Sequence, residues 1–472
     1  MELKIEEEKA LQQNTKPRKF GIRDEIGYAA GDSAGSFVNL YVDSFFLVFC
    51  TYVLGLSPFF MSAVFLIART WDAINDPLIG SFPDRWKLGK SGDKFKPYIK
   101  LAMFPLAISG VLAYTNVSGL GSGFTHVWVV VTYILVGMSY TGTSMPFGSM
   151  MSIVTPNPDE RTKLSRARGI GGLLVGGVFM SFVPLFIFNS NGDVVPQAFF
   201  YIAVIFGILS LLGYTTLLKL VPERVKEPVE TKAKFNYKKV LKSLPKNRPL
   251  MGLMVATVGQ LITITGYIQF STYLFGEYYG NPQVVQLVML AAIPGSILGF
   301  IVVPRLAKRF GKRNILLISL SFSFLVFLFQ FLVPISNEYV FILLYAIGSV
   351  GVAPYFVLVW SLVSDCLDYH EYITGERNDG SLFSIYAFSR KIGTVIAASG
   401  ASFLLGVIGY IAGNATQSPD VIENIRWIGT GIPLLSVTIQ LIGIGFIFNL
   451  TKEKTEHVTE ELKQRREHQV FE

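Results

Sequence analysis

Twelve apolar runs, each about as long as a helix needs to cross roughly 30 Å of hydrocarbon, constrain this chain before any single residue is considered. They cover approximately residues 29–53, 58–80, 98–116, 124–150, 169–189, 196–220, 249–275, 283–303, 315–334, 338–363, 382–410 and 428–450. A soluble fold of 472 residues has too little interior for a composition that is 51% hydrophobic and only 16% charged. In lipid every backbone polar group must be satisfied internally, which helices achieve. The expected fold class is therefore an all-α membrane protein with twelve transmembrane helices. Residues 1–28 are polar and lack the apolar core and small-residue cleavage site of a leader, so the first span is expected to remain in the protein.

Charge sets the expected orientation. Of the 41 lysines and arginines, 35 fall in the two terminal segments and in the loops after spans 2, 4, 6, 8 and 10; the opposite loops hold only Arg426. By the positive-inside rule both termini are expected in the cytoplasm of a multi-pass cell-membrane protein. The formal charge of +8 is explained by this side of the bilayer, and no nucleic-acid partner is expected.

The basic stretch 221–248 separates six spans from six. It is read as a cytoplasmic linker between an N-terminal six-helix bundle, 29–220, and a C-terminal one, 249–450, with 1–28 and 451–472 as cytoplasmic ends. Weak echoes support two repeats. A basic loop follows spans 2 and 8, and a Glu-Arg pair follows spans 4 and 10 (Glu160-Arg161, Glu376-Arg377). Parallel repeats suit a transporter whose substrate sits between halves at mid-membrane. Cys50 and Cys366 lie in different halves without metal-ligand spacing, and no P-loop is present. Neither an enzyme nor direct ATP drive is expected, and no cofactor is called for beyond a co-transported Na⁺ or H⁺.

Span 2 contains RTWDAINDP, residues 69–77. At 100° per residue Arg69, Asp72 and Asp76 fall within about 60° of one another, with Asn75 about 60° beyond Asp72. Carboxylates facing lipid cost at least about 2.5 kcal/mol, so this stripe should face the interior. Two aspartates one turn apart repel unless a cation lies between them or one is protonated. A structural ion pair with Arg69 is the plainer alternative, but one arginine leaves a carboxylate unbalanced. Asp72, Asn75 and Asp76 are therefore candidate cation ligands, with Asp72 and Asp76 the ones that would touch a metal ion, and Arg69 is a candidate coupling residue. Span 1 carries a second stripe, Asp32, Ser36, Asn39 and Asp43, among glycines and alanines that permit close helix approach. Its carboxylates suit paired hydrogen bonds to hydroxyl-rich ligands. Tyr140, Thr141, Thr143 and Ser144 precede Pro146 in span 4; Arg168 opens span 5; Arg390 and Lys391 interrupt span 11; and Tyr355 and Trp360 in span 10 could stack on sugar rings.

With these residues in place the sequence resembles the glycoside-pentoside-hexuronide:cation symporters over about Phe20 to Asn449. The resemblance rests on Arg69-Thr-Trp-Asp72-Ala-Ile-Asn-Asp76-Pro, the PDRWKLGKSGDKFKPY loop, Pro146-Phe147, SDCLDYHEY (364–372) and Lys391. It implies a major-facilitator-type fold of two six-helix bundles. It also implies a cation site shaped by Asp72, Asn75, Asp76 and Thr141, sugar contacts from Asp32 and Arg168, and Lys391 in a charge network joining the two sites. The substrate set expected from both lines is Asp32, Asp43, Tyr140, Ser144, Arg168, Trp360 and Lys391. The pattern departs where melibiose-carrying members have an aspartate and, one turn on, a tryptophan: Ser144 and Gly148 stand there, while Asp43 and Arg390 look like additions.

The expected function is secondary active transport: a sugar:cation symporter importing a disaccharide or pentose-containing glycoside with Na⁺ or H⁺. Its partners would be the sugar, a monovalent cation and the bilayer. A lipid or lysolipid transporter of related fold is the alternative.

Overall fold

The computed structural model describes residues 18–80, 82–86, 88, 93–155, 157–224, 244–375, 379–413 and 416–470. Most of the expected linker and the pair Glu376-Arg377 lie outside them. Among the described residues twelve long helices follow in order: α1, Ile22–Val48, continued by a wider π turn Phe49–Val53; α2, Pro58–Gly80; α3, Lys96–Ala113; α4, Ser122–Val154; α5, Pro158–Leu173, passing through a π turn Leu174–Phe179 into Met180–Ile187; and α6, Pro196–Leu220. The second half holds α7, Arg248–Leu261, which runs on with two π turns through Tyr278; α8, Val285–Phe310; α9, Lys312–Leu332; α10, Glu338–Thr374; α11, Asp379–Val407; and α12, Pro419–Leu441, extended to Ile447. A polar helix α13, Lys452–Val470, closes the chain.

Nine of these helices are long and apolar enough to cross a membrane. The other three of the twelve are α3, which has 18 residues and two lysines in its first turns, and α2 and α11, which carry Arg69, Asp72, Asp76, Arg390 and Lys391. Helix length exceeds the apolar run wherever the chain leaves the hydrocarbon without meeting a breaker. α10 continues eleven residues past the expected end at 363, through SDCLDYHEYIT, until Gly375 adopts φ +70°. α5 likewise starts eleven residues early, so Arg168 stands inside a helix instead of opening one. α13 packs back on the α10 extension, with Val458 and Leu462 buried and Lys454 and Arg465 over the rings of Tyr369 and Tyr372 at 4.8 and 5.2 Å.

Within the first half, small residues of α1 let α6 come close: a methyl group on Gly31 would lie 2.8 Å from Leu217 and 2.9 Å from Phe147. The halves meet along α2 with α11, α5 with α8, and α1 with α7. The charged faces of α1, α2, α5 and α11 and the hydroxyl-bearing face of α4 thereby converge on the middle of the molecule.

Candidate functional site

A cavity of about 480 Å³ lies where those helices converge, within the roughly 300–1,000 Å³ range of small-molecule sites. Its α2 wall is the stripe of Arg69, Asp72 and Asp76. The two aspartates have different neighbours. Asp72 lies 3.9 Å from Nη1 of Arg69, and its carboxylate reaches α4 over Gly137, where a methyl group would sit 2.7 Å from Oδ1. Asp76 accepts a 2.7 Å hydrogen bond from Thr141 on α4 and pairs with the Lys391 ammonium from α11, whose Nζ also stands 3.5 Å from the Asp72 carbonyl oxygen. The sequence argument that one arginine leaves a carboxylate unbalanced is answered here by Lys391: each half of the protein supplies one cation.

Arg69 is held by three groups. It pairs with Asp43 of α1 as well as with Asp72, and its guanidinium carbon lies 5.9 Å from the Tyr133 ring centroid. Asn39 donates to Asp43 at 2.9 Å, and Gln269 of α7 donates to the Asp43 carbonyl oxygen at 2.7 Å. Three turns back on α1 from Asp43, Asp32 receives Nε–H of Arg168 at 2.7 Å. Arg168 in turn stacks over Phe147 at 5.3 Å. Tyr140, Ser144 and Gly148 line the cavity from α4, Arg168 from α5, and Lys391 and Thr394 from α11.

The structure thus gathers Arg69, Asp72, Asp76, Tyr140, Thr141, Ser144, Arg168 and Lys391 around one space. Asp32 stands behind Arg168 as its partner. Like Asp32, three further expected residues lie off the lining. Asp43 is committed to Arg69 and Asn39, because an arginine in low dielectric takes the carboxylate nearest to it. Asn75 is buried at 5% exposure, with Nδ2 unpartnered among the described residues. Trp360 faces the guanidinium of Arg390 at 5.2 Å. Tyr355, the other aromatic read as a stacking platform, is fully buried and hydrogen-bonded to Thr257. The lining also includes Gly137, Met145 and Ser149, which sequence reasoning did not select, and Thr394, which helical spacing places on the same inward face of span 11 as Lys391. No cluster of three or more His, Cys, Asp or Glu side chains suited to a metal ion occurs among the described residues. The site offers two carboxylates and a hydroxyl, hard oxygen donors that suit a small monovalent cation or a proton.

Residues 27–452 match the family model described as MFS/sugar transport protein. The chain is 29% identical to the uncharacterized symporter YjmB of Bacillus subtilis (strain 168), covering 95% of this chain and 96% of that one. It is 29% identical to the glucuronide carrier protein homolog of Escherichia coli (strain K12), over 94% and 96%, and 26% identical to the isoprimeverose transporter of Lactiplantibacillus pentosus, over 90% and 88%. Among solved structures it resembles a D-xylose-proton symporter with a TM-score of 0.64 at 14% identity, covering 91% of this chain and 98% of that one, which shows a shared fold.

Proposed function

The chain belongs to the MFS/sugar transport protein family, and on that premise we propose that it imports a glycoside together with one monovalent cation, Na⁺ or H⁺, by alternating access of the central cavity. The observation that carries this reading is the placement of the Lys391 ammonium on Asp76, beside Thr141 and within reach of the Asp72 carbonyl. A tethered ammonium there is a stand-in for a free cation. Na⁺ entering between Asp72 and Asp76, or protonation of Asp76, frees Lys391 from α2. Because α2 belongs to one half and α11 to the other, that exchange changes the bond between the halves.

Charge balance supports a single cation. Four carboxylates, Asp32, Asp43, Asp72 and Asp76, face three protein cations, Arg69, Arg168 and Lys391. One monovalent cation neutralises that network. The sugar is assigned to the space between Tyr140, Ser144 and Arg168 on one side and Lys391 on the other, with Asp32 orienting Arg168. Similarity to a glucuronide carrier protein homolog and to an isoprimeverose transporter supports a glycoside. The lysine and arginine distribution supports cytoplasmic termini. A lipid substrate fits less well, since five charged side chains line the cavity.

The test is uptake of labelled glycosides by membrane vesicles, with imposed Na⁺ or pH gradients, in the wild type and in Asp72→Asn. The variant keeps shape but removes the charge that balances the cation, so gradient-driven accumulation should disappear while downhill exchange persists. Full gradient-driven accumulation by Asp72→Asn would remove that residue from the cation site. A merely structural ion pair predicts a different result: less folded protein, because Arg69 loses a partner.

A further inference from the structure

Resting on the glycoside reading, we propose that Arg390, stacked on Trp360, determines specificity by receiving a carboxylate carried on the sugar. Arg390 immediately precedes Lys391 and lies one turn before Thr394, both of which line the cavity. The Thr394 hydroxyl donates to the Arg390 carbonyl oxygen at 3.1 Å. Around the axis Arg390 is about 40° from Thr394. Among the described residues the exposed apolar side chains of α11 (Phe388, Ile392, Ile396, Phe403 and Val407) lie on the other side, at least about 100° away. Arg390 therefore points inward, beside the cavity and not toward lipid.

Its immediate environment leaves its hydrogen-bonding edge available. The guanidinium carbon is 5.2 Å from the Trp360 ring centroid, and Trp360 is edge-on to Tyr386 with centroids 6.0 Å apart. Stacking uses the face of a guanidinium, whereas its five N–H donors radiate in the plane. Arg69, Arg168 and Lys391 each have a carboxylate partner; among the described residues Arg390 has none. It sits about 16 Å along α11 from Asp379, deep enough that an unpaired charge is costly and calls for an anion. The charge count agrees. One bound cation neutralises the network of Asp32, Asp43, Asp72 and Asp76 with Arg69, Arg168 and Lys391, and the single positive charge of Arg390 remains for one substrate carboxylate to cancel. A planar carboxylate is also the group a guanidinium fork binds with two parallel hydrogen bonds.

The experiment measures affinities of purified protein, with Na⁺ present and at fixed pH, for matched p-nitrophenyl glycosides. The pairs are gluco and galacto, α and β, each differing only in carboxylate versus hydroxymethyl at C6. The uronide of at least one pair should bind about tenfold or more tightly than its neutral partner, and that ratio should fall about tenfold in Arg390→Gln. Arg390→Lys, which keeps the charge but loses the fork, should show a smaller fall. A wild-type preference for the neutral members, or a ratio unchanged in Arg390→Gln, overturns the assignment and leaves glycoside transport standing. Binding of no member of any pair overturns the glycoside reading and this inference with it. Should Arg390→Gln not fold, Arg390→Lys decides: an unchanged ratio refutes the fork, and a fall of at least about threefold supports it.

Discussion

Asp72 and Asp76 are one helical turn apart and chemically identical, yet their neighbours give them different work. Asp76 is the shared acceptor of Thr141 and Lys391, while Asp72 depends on space above Gly137. A methyl group at that glycine would stand 2.7 Å from Oδ1 and 3.3 Å from Oδ2 of Asp72, so Gly137→Ala must push the carboxylate away from α4. Helix propensity alone favours alanine over glycine by about 0.8–1 kcal/mol, so the substitution should not lower the folded yield on that account. The expected outcome is normal yield with cation affinity weakened about tenfold, equivalent to about 1.4 kcal/mol. Titrating the cation dependence of glycoside binding checks it. Unchanged cation affinity would show that Asp72 does not need its present position.

At the scale of elements, the α2 stripe was legible because charge in an apolar run is conspicuous and helical geometry fixes which residues share a face. Pairings between helices were not. Lys391 and Asp76 are 315 residues apart, and nothing in either helix states that they meet. Asp43 illustrates this: on α1 alone it reads as a sugar ligand, and the approach of α2 pairs it with Arg69. The extra turns of α5 and α10 were missed because hydropathy marks hydrocarbon and not helix length. A further long-range device is the cap on α3. Glu223, just after α6, accepts the backbone N–H groups of Lys94, Phe95 and Lys96 at 2.6, 3.0 and 2.9 Å, filling donors that the first turn leaves orphaned. Glu223→Ala should destabilise that helix start by about 1–2 kcal/mol. Hydrogen-deuterium exchange over residues 93–100 should quicken accordingly, and unchanged protection there would show that the cap is redundant.

For the whole molecule, the bonds between halves show how an alternating-access cycle is held at one stage. Besides those at the cavity, they collect at the end remote from the termini. Thr51 meets Tyr273 at 2.6 Å, the N–H of Gly413 donates to the Thr51 carbonyl oxygen at 2.9 Å, and Gln283 reaches the Phe188 carbonyl oxygen at 2.9 Å. Phe59 of α2 packs on Phe403 of α11 at the same end. The centre of this closure is Glu277 at the end of α7, where one carboxylate oxygen accepts from Tyr52 of the first half at 2.7 Å and from Tyr410 at 3.0 Å. A ligand shifts such an equilibrium only by binding one state better than the other, so the closed end must be held by contacts strong enough to matter and weak enough to yield. Hydrogen bonds to a charged group contribute about 1.5–3 kcal/mol each, and losing the one that crosses between halves should raise the population open at this end by about tenfold or more. Glu277→Ala removes the acceptor for both tyrosines; Glu277→Gln retains an oxygen and should have a smaller effect. Spin labels on exposed sites of the two halves, Ser190→Cys and Thr416→Cys in a background with Cys50 and Cys366 replaced by serine, report the opening directly. The expected result is a longer-distance population that grows from wild type through Glu277→Gln to Glu277→Ala and shrinks again when a transported glycoside bound with its cation favours the closed form. Identical distance distributions in all three proteins would mean that the tyrosine-glutamate contact follows the closure and does not hold it, and the apolar packing of α2 on α11 would have to supply the latch.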